Sequence, residues 1–148
     1  MSRRVERRAV TAFHALPEYA RIQAEYEGLT GGEASSEPWG AGPWESYDEG
    51  ALAVRGFEAE GRSLVSVAAS AGYGCGDFYG ALWVVFELRS DGGAELLALG
   101  HEVLPPVAVF DLERDGEIEV LLHDGLSTGG VRERATVSIE VPFFDCPC

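Results

Sequence analysis

Apolar and polar residues alternate in two different rhythms along this chain, and the change falls near residue 50. In the first stretch, Tyr19, Ile22 and Tyr26 recur at i, i+3 and i+7, the spacing of one helical face. Pro17 suits the first turn of such a helix and Gly28 the position just past its end. One short helix over 18–27 is expected, preceded by a lead-in in which Val5, Val10 and Phe13 are less regularly spaced. From residue 51 the runs become short and β-rich. Candidate strands are 51–57, 63–70, 81–89, 95–100, 107–110, 118–123 and 135–141, separated by Gly, Asp and Pro. Asp91-Gly92 between two apolar runs is a hairpin signal. The run ALWVVFELR over 81–89 is apolar on both of its alternating faces and reads as a central strand.

These elements predict a mostly β protein: an antiparallel sandwich, meander or barrel-like domain with one short N-terminal helix. Three regions follow: a basic head with the helix (1–27), a Gly-, Pro- and Ser-rich loop or linker (28–50) and a β-rich domain (51–148). Trp39 and Trp44 lie in the loop region and are expected to tuck onto the sheet, since indole rings are mostly buried.

The length of 148 residues fits one domain with a substantial core. No apolar run approaches the roughly 20 residues of a membrane helix, so no membrane span is expected. All eleven basic residues are arginine, against 25 acids, for a net charge of −14. Five arginines in the first 22 residues face two glutamates and give a head of +3; the remainder carries −17. So acidic a body repels phosphate, which argues against nucleic-acid binding through it. A protein partner is left open. The stretch after the basic head is short and broken by His14 and Pro17, and has neither the apolar core nor the cleavage site of a secretory signal. The chain therefore reads as cytoplasmic by default, or as secreted or surface-borne if a leader is missing. Its Arg-only, acidic, Gly- and Ala-rich composition resembles that of proteins from high-GC bacteria, a matter of codon usage.

One segment carries specific chemistry. In Val107–Leu122, counting from Asp111 as position 1, carboxylates fall at positions 1, 3, 5, 7 and 9 (Asp111, Glu113, Asp115, Glu117, Glu119), with Gly116 at position 6. A tight loop with alternating acids turns oxygens toward one point, and Ca²⁺ takes six to eight oxygens at about 2.3–2.6 Å. The carbonyl of Glu117 offers a further ligand, and Arg114 should point outward. An EF-hand is excluded because position 12 is Leu122 rather than Glu. The segment instead resembles the cation loop of FG-GAP/VCBS-type β-propeller repeats, D-x-D-x-D-G-x-x-D/E between two apolar strands. Asp111, Asp115, Gly116 and Glu119 match that pattern, and the apolar runs 107–110 and 118–122 match its flanks. The resemblance implies a structural Ca²⁺ site. It covers only residues 107–122, has Glu113 where the pattern has Asp, and occurs once, so the chain does not close a propeller by itself.

The three cysteines are Cys75, in a glycine-rich loop, and Cys146 and Cys148 at the end of the sequence. In an oxidising compartment Cys75 pairs with Cys146 or Cys148, and the odd count leaves one thiol. Three reduced thiols, a Cys146/Cys148 metal or redox pair, and a Cys75 nucleophile with His101 or His123 as base are the other readings. Three functions result. The preferred one is a non-enzymatic β-domain with a structural Ca²⁺ loop, an accessory or interaction module of a bacterial secreted or surface protein. The others are a small cysteine-dependent hydrolase using Cys75, and an intracellular acidic binding or regulatory protein docking through its N-terminal helix.

Overall fold

The computed structural model describes residues 1–30, 42–47, 50–59, 61–72, 78–112, 114–122, 125–128 and 135–138. Two α-helices, α1 (Arg3–His14) and α2 (Pro17–Thr30), precede a 3₁₀ turn at Trp44–Ser46. Eight strands follow: β1 (Ala51–Ala59), β2 (Arg62–Ala71), β3 (Gly80–Leu88), β4 (Ala94–Gly100), β5 (Ala108–Phe110), β6 (Glu119–Leu121), β7 (Gly125–Thr128) and β8 (Ala135–Ser138). They form two four-stranded antiparallel meanders, β1-β2-β3-β4 and β5-β6-β7-β8.

The mostly β, antiparallel architecture agrees with the sequence pattern, and the sheets pack as layers. Leu64, Ala68, Trp83, Val85 and Ala98 of the first sheet share a core with Val109, Ile118, Val120 and Leu122 of the second. The alternate residues of the same strands, Val65, Val67, Ala69, Leu82, Val84 and Phe86, pack instead against Phe13, Tyr19, Ile22, Tyr26 and Trp44. The order is therefore helices, first sheet, second sheet. This layering explains why 81–89 is apolar on both faces: Leu82, Trp83, Val84 and Val85 are all completely buried. Between Val85 and Phe86 the β3–β4 register slips by one, with Val85 opposite Ala98 and Phe86 opposite Leu96. One residue, Leu97, is thus extra on β4, which is a β-bulge.

Two helices replace the single one expected. The lead-in is itself a helix, started by Ser2, whose hydroxyl accepts the N–H of Val5. Its buried face is Ala9 and Phe13, flanked by half-buried Val5 and Ala12. The chain breaks at Ala15-Leu16 because Pro17 disfavours helical geometry in the residue before it, and Pro17 then opens α2. Tyr19, Ile22 and Tyr26 are buried along α2 as their spacing requires. α2 passes through Gly28 and runs to Thr30, three residues beyond the expected end at 27. Trp44 is completely buried against this layer; Trp39 lies outside the described residues.

α1 lies across β1, β2, β3 and β4. At its far side Arg8 Nη2 donates to the carbonyls of Arg89 (3.1 Å) and Gly93 (3.2 Å) in the β3–β4 hairpin. That hairpin is the Asp91-Gly92 turn: Gly92 has φ 99°, open to glycine without strain, and Asp91 Oδ1 accepts the N–H of Gly93 at 2.8 Å. No helix among the described residues is long and apolar enough to cross a membrane.

Candidate functional site

The acidic segment connects β5 to β6. Antiparallel pairing of Ala108 with Leu121, Val109 with Val120 and Phe110 with Glu119 brings the two ends of the loop together. Between them the backbone curls through left-handed positions at Arg114 (φ 59°) and Gly116 (φ 90°). The φ of Arg114 is uncommon for a residue with a Cβ. The curl wraps the loop around Asp111, whose Oδ1 accepts the N–H of Asp115 at 3.1 Å and whose Oδ2 accepts the N–H of Gly116 at 2.9 Å. Asp115 Oδ1 accepts the N–H of Glu117 at 2.9 Å. Glu119, 8% exposed, turns its Oε2 to the N–H of Leu112 at 2.7 Å. Three of the five predicted carboxylates thus fold the loop through its own amides.

The remaining acids divide. Glu117 is exposed, and Glu113 lies outside the described residues. Among the described residues no three carboxylates gather into a metal cage. The donor set is all oxygen, the right chemistry for a hard cation. Each ionised carboxyl group has about four acceptor directions, so the amide bonds to Asp111 and Asp115 leave lone pairs free.

The loop is also tied to the first sheet, through a residue that periodicity and motif spacing did not single out. Arg62 Nε and Nη2 donate to Glu87 Oε2 at 3.1 and 2.7 Å, while Nη1 reaches the carbonyl of Gly116 at 2.8 Å. The hydrogen-bonded Glu87 carboxylate raises the Arg62 pKa above its usual value; burial opposes this, and the nearby charges of Asp111 and Glu95 add to the rise. One guanidinium therefore joins β2, β3 and the tip of the β5–β6 loop.

A second polar cluster lies in the helical layer. Glu45, 6% exposed, accepts the Tyr19 hydroxyl on Oε2 at 2.7 Å and His14 Nε2–H on Oε1 at 2.9 Å. It closes the helical layer by linking the end of α1, the start of α2 and the 3₁₀ turn. Burial, followed by the hydrogen bond and negative charge of Glu45, pushes the Tyr19 phenol well above its usual range. Beside it the buried indole N–H of Trp44 has no hydrogen-bond partner among the described residues. No spacing rule points to Glu45, which sits in a Gly/Pro-rich segment; the adjacent Trp is the only cue.

The thiol readings rest largely on residues that are not described. Cys75, Cys146, Cys148 and His123 lie outside the described residues. His101 is exposed, and its Nδ1 donates to the Ala81 carbonyl at 3.2 Å, a strand-end contact between β4 and β3. Compared with known proteins, the chain matches no family model, no curated protein and no solved structure.

Proposed function

We propose that this chain is a non-enzymatic β-domain, an accessory or interaction module, whose β5–β6 loop takes up Ca²⁺ in a structural role. The observation that supports this reading is the curl of the loop around Asp111, with Arg114 and Gly116 both left-handed. Such a curl keeps Asp111 and Asp115 within one short turn whose side-chain donors are all oxygen. Bound there, Ca²⁺ would neutralise the carboxylates of the loop and so steady the turn between β5 and β6. The chain's own contribution is to hold the loop in shape: Asp111 and Asp115 fix the backbone, Glu119 anchors Leu112 at the β6 end, and Arg62 holds Gly116. Completing a cage calls on Glu113 and on reorientation of the exposed Asp115 and Glu117 side chains.

The test is thermal unfolding in EDTA and in several millimolar Ca²⁺, with Mg²⁺ as control. Ligand at about ten times its dissociation constant adds roughly 1.4 kcal/mol, a rise of about 3–6 °C for a chain of this size. The rise should be selective for Ca²⁺ and should vanish in Asp111→Asn and Asp115→Asn. Asp111→Asn lowers the melting point even in EDTA, because both oxygens of Asp111 accept backbone N–H groups and an amide has one acceptor oxygen; Asp115 accepts through Oδ1 alone, a bond its Asn variant can keep. The decisive quantity is therefore the Ca²⁺-dependent difference. No such difference in the wild type reduces the segment to a self-capped acidic turn and removes the Ca²⁺ reading.

A further inference from the structure

Of the nine arginines among the described residues, five are already occupied, and Arg21 stands apart on α2. Arg62 and Arg89 pair with Glu87 and Glu95. Arg8 holds two hairpin carbonyls, Arg55 reaches the Pro106 carbonyl, and Arg114 is also engaged. Among the described residues, Arg3, Arg4 and Arg7 of α1 make no ion pair or hydrogen bond through their side chains, and all three are exposed. α1 buries Ala9 and Phe13 toward the sheet, so its apolar face is already used. What it presents outward is the stripe Arg3–Arg7 with Arg4 beside it; Glu6 lies on the flank.

We infer that this outer face of α1 is a docking surface for an acidic helical segment of a partner protein. Arg3 and Arg7 are one i, i+4 step apart, about 6 Å along the axis, the same step that separates carboxylates at i and i+4 on a partner helix. The guanidinium fork takes a carboxylate in two parallel hydrogen bonds. The stripe is short, and the excess of acids over the rest of the chain opposes an extended polyanion. These two facts favour a compact acidic peptide over nucleic acid or an anionic membrane. An amphipathic helix lying in a membrane surface also needs its apolar face, which here is committed to the sheet. The inference rests on the interaction-module part of the proposed function and is independent of Ca²⁺.

The probe is a fluorescein-labelled alanine-based helical peptide with Glu at every fourth position, read by fluorescence anisotropy, with its Gln counterpart as control. The full chain should bind the Glu peptide saturably at about 50 mM salt and more weakly at about 200 mM, as screening shortens the reach of exposed charges. Arg3→Gln/Arg7→Gln should weaken binding about tenfold, the combined effect of two exposed charge pairs. It should leave the melting point unchanged, because both side chains are exposed and unpaired. Arg21→Gln, on α2, should bind like the wild type, and Arg3→Lys/Arg7→Lys should restore part of the affinity. Asp111→Asn should lose any Ca²⁺ response yet keep peptide binding, which separates the two proposals. Absence of saturable binding, equal binding of the Gln peptide, an unaffected Arg3→Gln/Arg7→Gln variant, or tighter binding to phosphatidylserine vesicles or a single-stranded oligonucleotide would each overturn the inference.

Discussion

Replacing Tyr19 with Phe removes a single oxygen from the centre of the helical layer. In the native protein that hydroxyl donates to buried Glu45 at 2.7 Å. A hydrogen bond to a charged, buried partner contributes about 1.5–3 kcal/mol, and the variant leaves Glu45 with His14 as its remaining side-chain donor. Urea denaturation at pH 7 should show a loss of about 2 kcal/mol, or roughly 4–8 °C in the melting midpoint. The pH dependence is more specific. Burial, reinforced by Glu45, raises the Tyr19 pKa in the folded chain above its unfolded value of about 10. Above that pH the unfolded chain releases the phenolic proton while the folded chain retains it, so folding binds one proton more and stability falls as pH rises. The stabilisation is complete below pH about 10 and declines by up to about 1.4 kcal/mol per pH unit above it. Tyr19→Phe has no such proton. The gap between wild type and variant should therefore stay constant from neutrality to about pH 9.5 and narrow between about pH 10 and 11. General alkaline destabilisation affects both proteins and cancels in the comparison. A variant within about 0.5 kcal/mol of wild type at pH 7, or two stability curves that run parallel through pH 11, would refute the buried Tyr19–Glu45 bond.

Two further substitutions examine how the layers are joined. At Gly80, the first residue of β3, an added Cβ would lie 2.9 Å from Phe78 Cζ and Trp44 Cε3 and 3.0 Å from Ile22 Cγ2. Gly80→Ala should cost about 1–3 kcal/mol by overpacking, read by urea denaturation, and a neutral result would show that the aromatic layer gives way. Arg62→Gln should cost about 1 kcal/mol, because the pair with Glu87 is only partly exposed and the Gly116 carbonyl loses its donor. Amide exchange should quicken across the β5–β6 loop, and unchanged loop exchange would deny that Arg62 links the two sheets.

The parts of this fold legible in the sequence are those where one residue's surroundings are set by its immediate neighbours in the chain. β3 stands out because both its faces are covered, so no polar residue interrupts 81–86. The Asp91-Gly92 turn stands out because a positive φ demands glycine. α1 was obscured for a physical reason. Its buried face relies on Ala9 and Ala12 as much as on Val5 and Phe13, and alanine marks a hydrophobic stripe weakly. Four arginines on one short helix make the segment strongly polar as a whole, so it reads as a charged lead-in even though they sharpen the contrast between its two faces. β7 was missed because Gly125–Thr128 is only four residues long and its pattern hardly differs from that of a loop. In the acidic segment, the positions of Asp111, Asp115 and Gly116 revealed a tight turn. The direction of each carboxylate was not legible, since a side chain that caps its own loop and one that waits for a ligand have the same spacing. Arg62 and Glu45 depend on contacts 54 and 31 residues away in the chain, respectively, and no local pattern encodes them.

The position of α1 across all four strands of the first sheet has a consequence for how the protein is made. On a ribosome α1 emerges before any strand it rests on, and its Arg8 meets carbonyls 81 and 85 residues further along. A helix of twelve residues is marginal by itself in water. Nascent α1 therefore has no complete bed until β4 has cleared the exit tunnel. Chains stalled with residues 94–100 still inside the tunnel should leave it open to protease, and chains from which residue 100 has emerged should protect it. A helix translated ahead of the whole sheet is among the last elements to settle.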